Sequence, residues 1–173
     1  MIIVVDGPTF DVLGFLDEPG RPASVATVTG RGRPALAMMW FLVEDDRLWF
    51  HTPELSGVPA PFLRAARERR EVAVMVATFD PPADVRQVRM TGPARLEEQD
   101  FERVRRLYRR YVAAWTPKWE RQATLASYRP WSMSPDRGMA VSYPGLEDRP
   151  AFQWSKAFEL FSLRSDTTST GQR

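Results

Sequence analysis

Gln87 and Arg89 combine residue type and spacing in a way that suits ligand chemistry. They lie two apart in an alternating segment, Val85 to Leu96. Val85, Gln87, Arg89 and Thr91 therefore share one strand face, and Arg86, Val88 and Met90 share the other. An amide held on such a face both donates and accepts, as the polar edge of a heterocycle requires. The plainer alternative is that both side chains meet solvent. His51 is the only histidine and cysteine is absent. Neither a histidine cluster nor a thiolate set can then hold a metal. A lone imidazole at a strand end fits a structural role, or a hydrogen bond to a cofactor or substrate.

Other candidates reduce to ordinary structure. Glu97, Glu98 and Asp100 stand at a helix start, where carboxylates cap and complement the dipole. Gly30-Arg31-Gly32 lacks the spacing of a dinucleotide loop, and no serine sits in a nucleophile-elbow pattern. Met38-Met39-Trp40 reads as core, with a cofactor wall as the alternative. Trp115, Trp119, Trp131 and Trp154 pack under loops or at a subunit seam, or wall a substrate pocket.

The chain of 173 residues suits one domain, expected over 1–164 with a flexible polar tail at 165–173. Hydrophobic residues at 43% and charged residues at 27% are a globular balance. Apolar runs such as Met1 to Val5 are too short to span a bilayer, and that run lacks the flanks of a secretion signal. With no cysteine, a cytoplasmic protein with no membrane association is expected. The net charge of +2 and the acidic flanks of the Arg-rich helix favour a solvated helix face over nucleic-acid binding.

The elements that must position these residues are read from period and punctuation. A short helix is expected within 8–18, ended by Asp17-Glu18-Pro19-Gly20. Strands follow at 24–29, 35–43 and 47–52, the second buried on both faces. A helix at 62–70 and strands at 72–79 and 85–96 complete a barrel core over 23–98, with Gly92-Pro93 interrupting the last strand. Residues 99–115 form the clearest helix, with Phe101, Val104, Leu107, Tyr108, Tyr111, Val112 and Trp115 in one stripe. Residues 116–135 read as irregular, and 136–164 as a closing segment. The fold class is mainly β with helices (α+β), its short strands closing into a small barrel.

Three stretches carry a family resemblance: Ser24-Val25-Ala26-Thr27-Val28 with Gly32-Arg33-Pro34; Trp40-Phe41 with Leu48-Trp49-Phe50-His51-Thr52; and Arg86-Gln87-Val88-Arg89 with Gly92 and Ala94-Arg95-Leu96. Across roughly residues 10–115 the chain resembles the pyridoxamine 5′-phosphate oxidase-like flavin-binding split barrels. The resemblance implies a six-stranded antiparallel split β-barrel, a homodimer with flavin sites at its interface, and an FMN- or deazaflavin-dependent oxidoreductase acting on a small organic substrate. It places Met38, Met39 and Trp40 along the ring, and His51, Thr52 and Ser56 near the ribityl-phosphate end. Gln87 falls at the pyrimidine edge or ribityl chain, and Trp154 and Lys156 cover the ring from the partner chain. Where relatives carry phosphate-binding cations, this chain has Ala37 and Ser56-Gly57-Val58-Pro59, which leaves Arg64 as the matching cation. Each missing charge-assisted bond costs about 1.5–3 kcal/mol. The alternative is a barrel holding haem or another apolar ligand, or no cofactor.

Overall fold

The computed structural model describes residues 2–4, 7–143 and 149–166. Its strands are β1 (Ile2–Val4), β2 (Ala23–Val28), β3 (Pro34–Met39), β4 (Leu42–Glu44), β5 (Arg47–Pro53), β6 (Glu71–Ala77), β7 (Arg86–Leu96), β8 (Tyr128–Met133), β9 (Arg137–Ser142) and β10 (Arg149–Trp154). Its helices are α1 (Val12–Asp17), α2 (Pro61–Arg67), α3 (Phe101–Arg109), α4 (Pro117–Ala123), α5 (Ala157–Phe161) and α6 (Leu163–Asp166).

The strands form one curled sheet, a mainly antiparallel half-barrel of the split-barrel kind. Along one path the order is β1-β10-β9-β7-β6-β2-β3, while β4, β5 and β8 continue from the far end of β7. Among the described residues, only β1 with β10 pairs parallel. The curl comes from β7. Its first part, 86–91, pairs with β9, and its last part, 94–96, pairs with β8.

Period-two sequence explains the core. In β6, Val72, Val74 and Val76 are buried while Glu71, Ala73 and Met75 face outward. In β2, Ala23, Val25 and Thr27 are buried in the same phase. α1 is capped by Asp11, whose carboxylate accepts from the Gly14 N–H at 2.9 Å. It buries Val12, Leu13, Phe15 and Leu16, each contributing about 1.5–3 kcal/mol. Trp131 closes the centre, stacked on Phe50 with ring centroids 4.3 Å apart.

Several expected elements differ. The segment 35–43 is two strands, broken at Trp40-Phe41, and β3 is not buried on both faces. The break is held by the Tyr111 hydroxyl, which accepts from the Phe41 N–H at 3.0 Å and lies 2.9 Å from the Arg21 carbonyl oxygen. β7 runs through Gly92-Pro93 as one strand, and the expected interruption there takes the form of a change of partner on one edge, from β9 to β8. The long helix stops at Arg109. Residues 116–135 are not irregular: they hold α4 and β8, which pairs with β5 along its full length. Their aromatic content hid the period because both faces of β8 are covered. Residues 167–173, most of the expected tail, lie outside the described residues. Among the described residues, no helix is long and apolar enough to cross a membrane.

Candidate functional site

The outward face of the curled sheet is apolar where water would be expected. Leu36 is 75% exposed, Met38 71%, Val28 52% and Met75 39%. They are contiguous: Ser24 lies opposite both Met38 and Met75, and Ala26 lies opposite both Leu36 and Ala73. The same row continues across Arg89 to Met139. A concavity of about 570 Å³ runs over this face, lined by Ala26, Leu36, Met75, Arg89, Met139 and Trp154. A second, of about 370 Å³, adjoins it at Ser24, Met38, Met75 and Arg21. Such volumes suit a small-molecule ligand.

Gln87 and Arg89 lie on this face, in the phase set by β7. The Gln87 Oε1 accepts from Arg89 Nε at 3.1 Å and Nη2 at 2.8 Å. This fork fixes the amide plane and engages its oxygen, so the NH₂ group is the part left to donate.

The other expected residues are dispersed. Met39 points to the core side of β3. Trp40 is enclosed in an aromatic cluster behind the sheet. It stacks on Tyr111 at 4.8 Å and meets Tyr108 edge-on at 5.4 Å, with Trp119 at 5.8 Å. His51 and Thr52 lie on opposite faces of β5. Thr52 Oγ1 accepts from the buried Trp131 Nε1 at 2.8 Å, whereas His51 turns toward α3. Ser56 is exposed in the loop before α2, and Lys156 is exposed just ahead of α5. Trp154 is buried in its own chain, its Nε1 donating to the Pro135 carbonyl at 2.8 Å, and contributes only to the rim of the concavity. Met38 and Gln87 thus share one surface, with Trp154 at its edge.

Arg64 belongs to a different opening. A cleft of about 790 Å³ lies between the β2–β3 turn and the loop into α2, lined by Thr29, Gly30, Arg31, Arg33, Glu54 and Arg64 among others. Sequence reasoning does not single out Arg31, Arg33, Leu36 or Met75 as ligand-facing residues. The available signal was Met75, an apolar side chain in the outward phase of β6.

His51 is a half-buried imidazole whose surroundings favour its neutral form. Its Nδ1 lies 3.1 Å from the Tyr108 hydroxyl, and its Nε2 is buried with no hydrogen-bond partner. Burial lowers its pKa from 6.5 to about 4 and raises that of Tyr108 to about 12. Between about pH 6.5 and 4 the unfolded chain takes up this proton and the folded chain does not. Stability due to His51 is therefore complete above that window and lost as pH falls through it. The expected loss by about pH 4.5 is about 2–3 kcal/mol. Urea unfolding near pH 7.5 and 4.5 checks this, since His51→Gln should remove that part of the slope. Equal acid losses in both proteins would refute it.

Residues 15–141 match the protein-family model described as pyridoxamine 5′-phosphate oxidase. The chain belongs to the pyridoxamine 5′-phosphate oxidase family. Solved structures agree on the split-barrel fold. A conserved hypothetical protein of Mycobacterium tuberculosis shares 17% identity, with 92% of each chain covered and a TM-score of 0.61. A Clostridium acetobutylicum protein related to general stress protein 26, of the pyridoxinephosphate oxidase family, shares 13% identity over 86% of this chain and 93% of that one, with a TM-score of 0.56. HutZ, the haem storage protein of Vibrio cholerae, shares 15% over 72% and 87%, with a TM-score of 0.51. Among curated proteins, 68 residues are 40% identical to lipoprotein LpqB of Thermobifida fusca, 36% of this chain but 11% of that protein. This member of the pyridoxamine 5′-phosphate oxidase family therefore spans a small part of that lipoprotein.

Proposed function

We propose that this protein is an FMN- or deazaflavin-dependent oxidoreductase of the pyridoxamine 5′-phosphate oxidase family, working on a small organic substrate as a cytoplasmic homodimer. One observation supports this reading above the rest: an uncovered apolar sheet face bears an amide whose oxygen is already fixed by Arg89. A flat ring needs a greasy wall and a few donors at its polar edge. Leu36, Met38 and Met75 supply the wall and keep water from it. The Gln87 NH₂ donates to a ring-edge oxygen or nitrogen. A second copy on the same face covers the exposed methionines and completes the slot. A bound flavin would supply the hydride chemistry, with the accompanying proton exchanged with water, while the residues of this chain bind and orient the ring.

The residues fit an anionic cofactor despite Ala37 and the loop at Ser56, because Arg64 lines a cleft with two further arginines at the start of β3. Haem is the weaker alternative, prompted by the structural likeness to HutZ. The sole imidazole has one nitrogen beside Tyr108 and the other buried. An iron ligand would have to come from elsewhere or His51 would have to leave its pocket.

The test is optical. The purified protein is expected to be yellow, or to quench the fluorescence of added FMN or deazaflavin stoichiometrically, with the bound band bleaching on reduction. A colourless protein that ignores both cofactors and gains a Soret band with haemin would overturn the proposal.

A further inference from the structure

Among the described residues, most arginines are occupied. Arg103, Arg105 and Arg106 pair with Glu44, Glu120 or neighbouring carboxylates, and Arg86 pairs with Asp84. The cleft of about 790 Å³ is different. Its lining brings Arg31 and Arg33 from the β2–β3 turn to Arg64 and Arg67 from α2, against the single lining carboxylate Glu54. That carboxylate is already held by Arg67 on one oxygen and by Arg129, outside the cleft, at 3.0 Å on the other. Among the described residues, the side chains of Arg31 and Arg33 make no ion pair. Arg64 gives its Nε to Glu68 at 2.8 Å, which leaves the two Nη groups.

That guanidinium lies against the turn at Gly30. A Cβ placed on Gly30 would stand 2.1 Å from Arg64 Nη1 and 2.5 Å from its Cζ. With glycine at position 30 the fork lies against the turn, and an added methyl would push the flexible end of Arg64 aside. The turn itself is pinned by the Thr29 N–H to the Arg33 carbonyl at 2.7 Å and by the Arg33 N–H to Thr29 Oγ1 at 3.1 Å. The rest of the cleft is apolar, from Pro34, Leu55, Val58 and Pro59. Several solvent-facing guanidiniums lining one open cleft form a site for a phosphate group, which accepts forked bonds from them.

We infer that Arg31, Arg33 and Arg64 form a phosphate site at the start of β3, built by the β2–β3 turn and α2. It takes over the work of the cations missing at Ala37 and after Ser56. The site holds the phosphate end of a ligand whose apolar part lies along the outward face of β3, past Leu36 toward Met38. This location rests on the proposed flavin function for the ligand's identity, but not for its charge. Free phosphate and a phosphorylated cofactor share the chemistry, and the experiment separates them.

Calorimetric titration of the full chain uses three probes: inorganic pyrophosphate, FMN, and riboflavin, which lacks the phosphate. Pyrophosphate should bind in a salt-dependent way. FMN should bind at least about tenfold tighter than riboflavin. Arg33→Ala and Arg64→Ala should each weaken pyrophosphate and FMN by about tenfold or more, leaving riboflavin unmoved. Arg33→Lys should restore part of the loss. Gly30→Ala should weaken both anions with no change of charge, because the added methyl displaces Arg64. Thermal melts check that each variant is folded. Failure of pyrophosphate to bind, or binding unaffected by the arginine variants, overturns the phosphate site even if flavin binds elsewhere. Pyrophosphate binding that depends on the arginines, in a protein that ignores both flavins, upholds the site and removes the flavin reading instead.

Discussion

Gly92→Ala is expected to lower the unfolding free energy by about 4 kcal/mol or more, against a typical total of about 5–15 kcal/mol. Gly92 is the point at which β7 exchanges β9 for β8 as its partner. The turn joining β8 to β9 crosses over β7 there. A Cβ at this position would stand 1.8 Å from the Ser134 carbonyl oxygen and 3.0 Å from the Asp136 nitrogen. These are backbone atoms, and no rotamer change relieves the overlap. The turn is also tied down, since the Ser134 N–H donates to the Pro93 carbonyl at 3.2 Å and the Asp136 N–H to the Ser134 carbonyl at 2.9 Å. Relief requires either the turn or β7 to move, and with it the pairing that curls the sheet. Gly7→Ala is the matched control, as nothing lies within 4 Å of its added methyl. Urea unfolding of the three proteins decides the matter: a Gly92→Ala variant within about 1 kcal/mol of wild type would show that β7 is not constrained in this way.

Leu36→Asp should separate assembly from folding. In one copy the residue is 75% exposed, so folding stability should change by no more than about 0.5 kcal/mol. In the proposed dimer the same carboxylate is buried against Val28, Met38 and Met75 of an apolar face without a partner charge. An unpaired buried charge costs several kcal/mol. A penalty of about 4 kcal/mol raises the dimer dissociation constant about a thousandfold. Sedimentation is expected to report a dimer for the wild type and a folded monomer for the variant, with flavin affinity lost in parallel. A variant that stays dimeric with unchanged affinity would place the subunit contact on another surface.

Local pattern and long-range arrangement contributed differently. Of the expected helix stripe, Val104, Leu107 and Tyr108 are buried, Phe101 at its start is exposed, and Tyr111, Val112 and Trp115 lie beyond the helix end. Apolar residues in both phases of 35–43 imitate a doubly covered strand. In this chain the outward phase, Leu36 and Met38, is left open, because a single copy does not cover that face of the curl. The aromatic residues of 116–135 carry no clear period, so α4 and β8 were hidden, although Trp131 proved to be the centre of the core.

What the amino-acid order determined by itself was face membership: Gln87 with Arg89, Val72 with Val74 and Val76, Met38 with Leu36. Strand alternation is local, and two residues of spacing settle it. The tertiary structure alone decided which face lies bare and which distant groups meet. It set His51 apart from its neighbour Thr52, brought Arg64 against Gly30, and laid the 134–136 turn over Gly92. Those outcomes depend on how the whole sheet curls, a property of many pairings at once that no short stretch of sequence encodes.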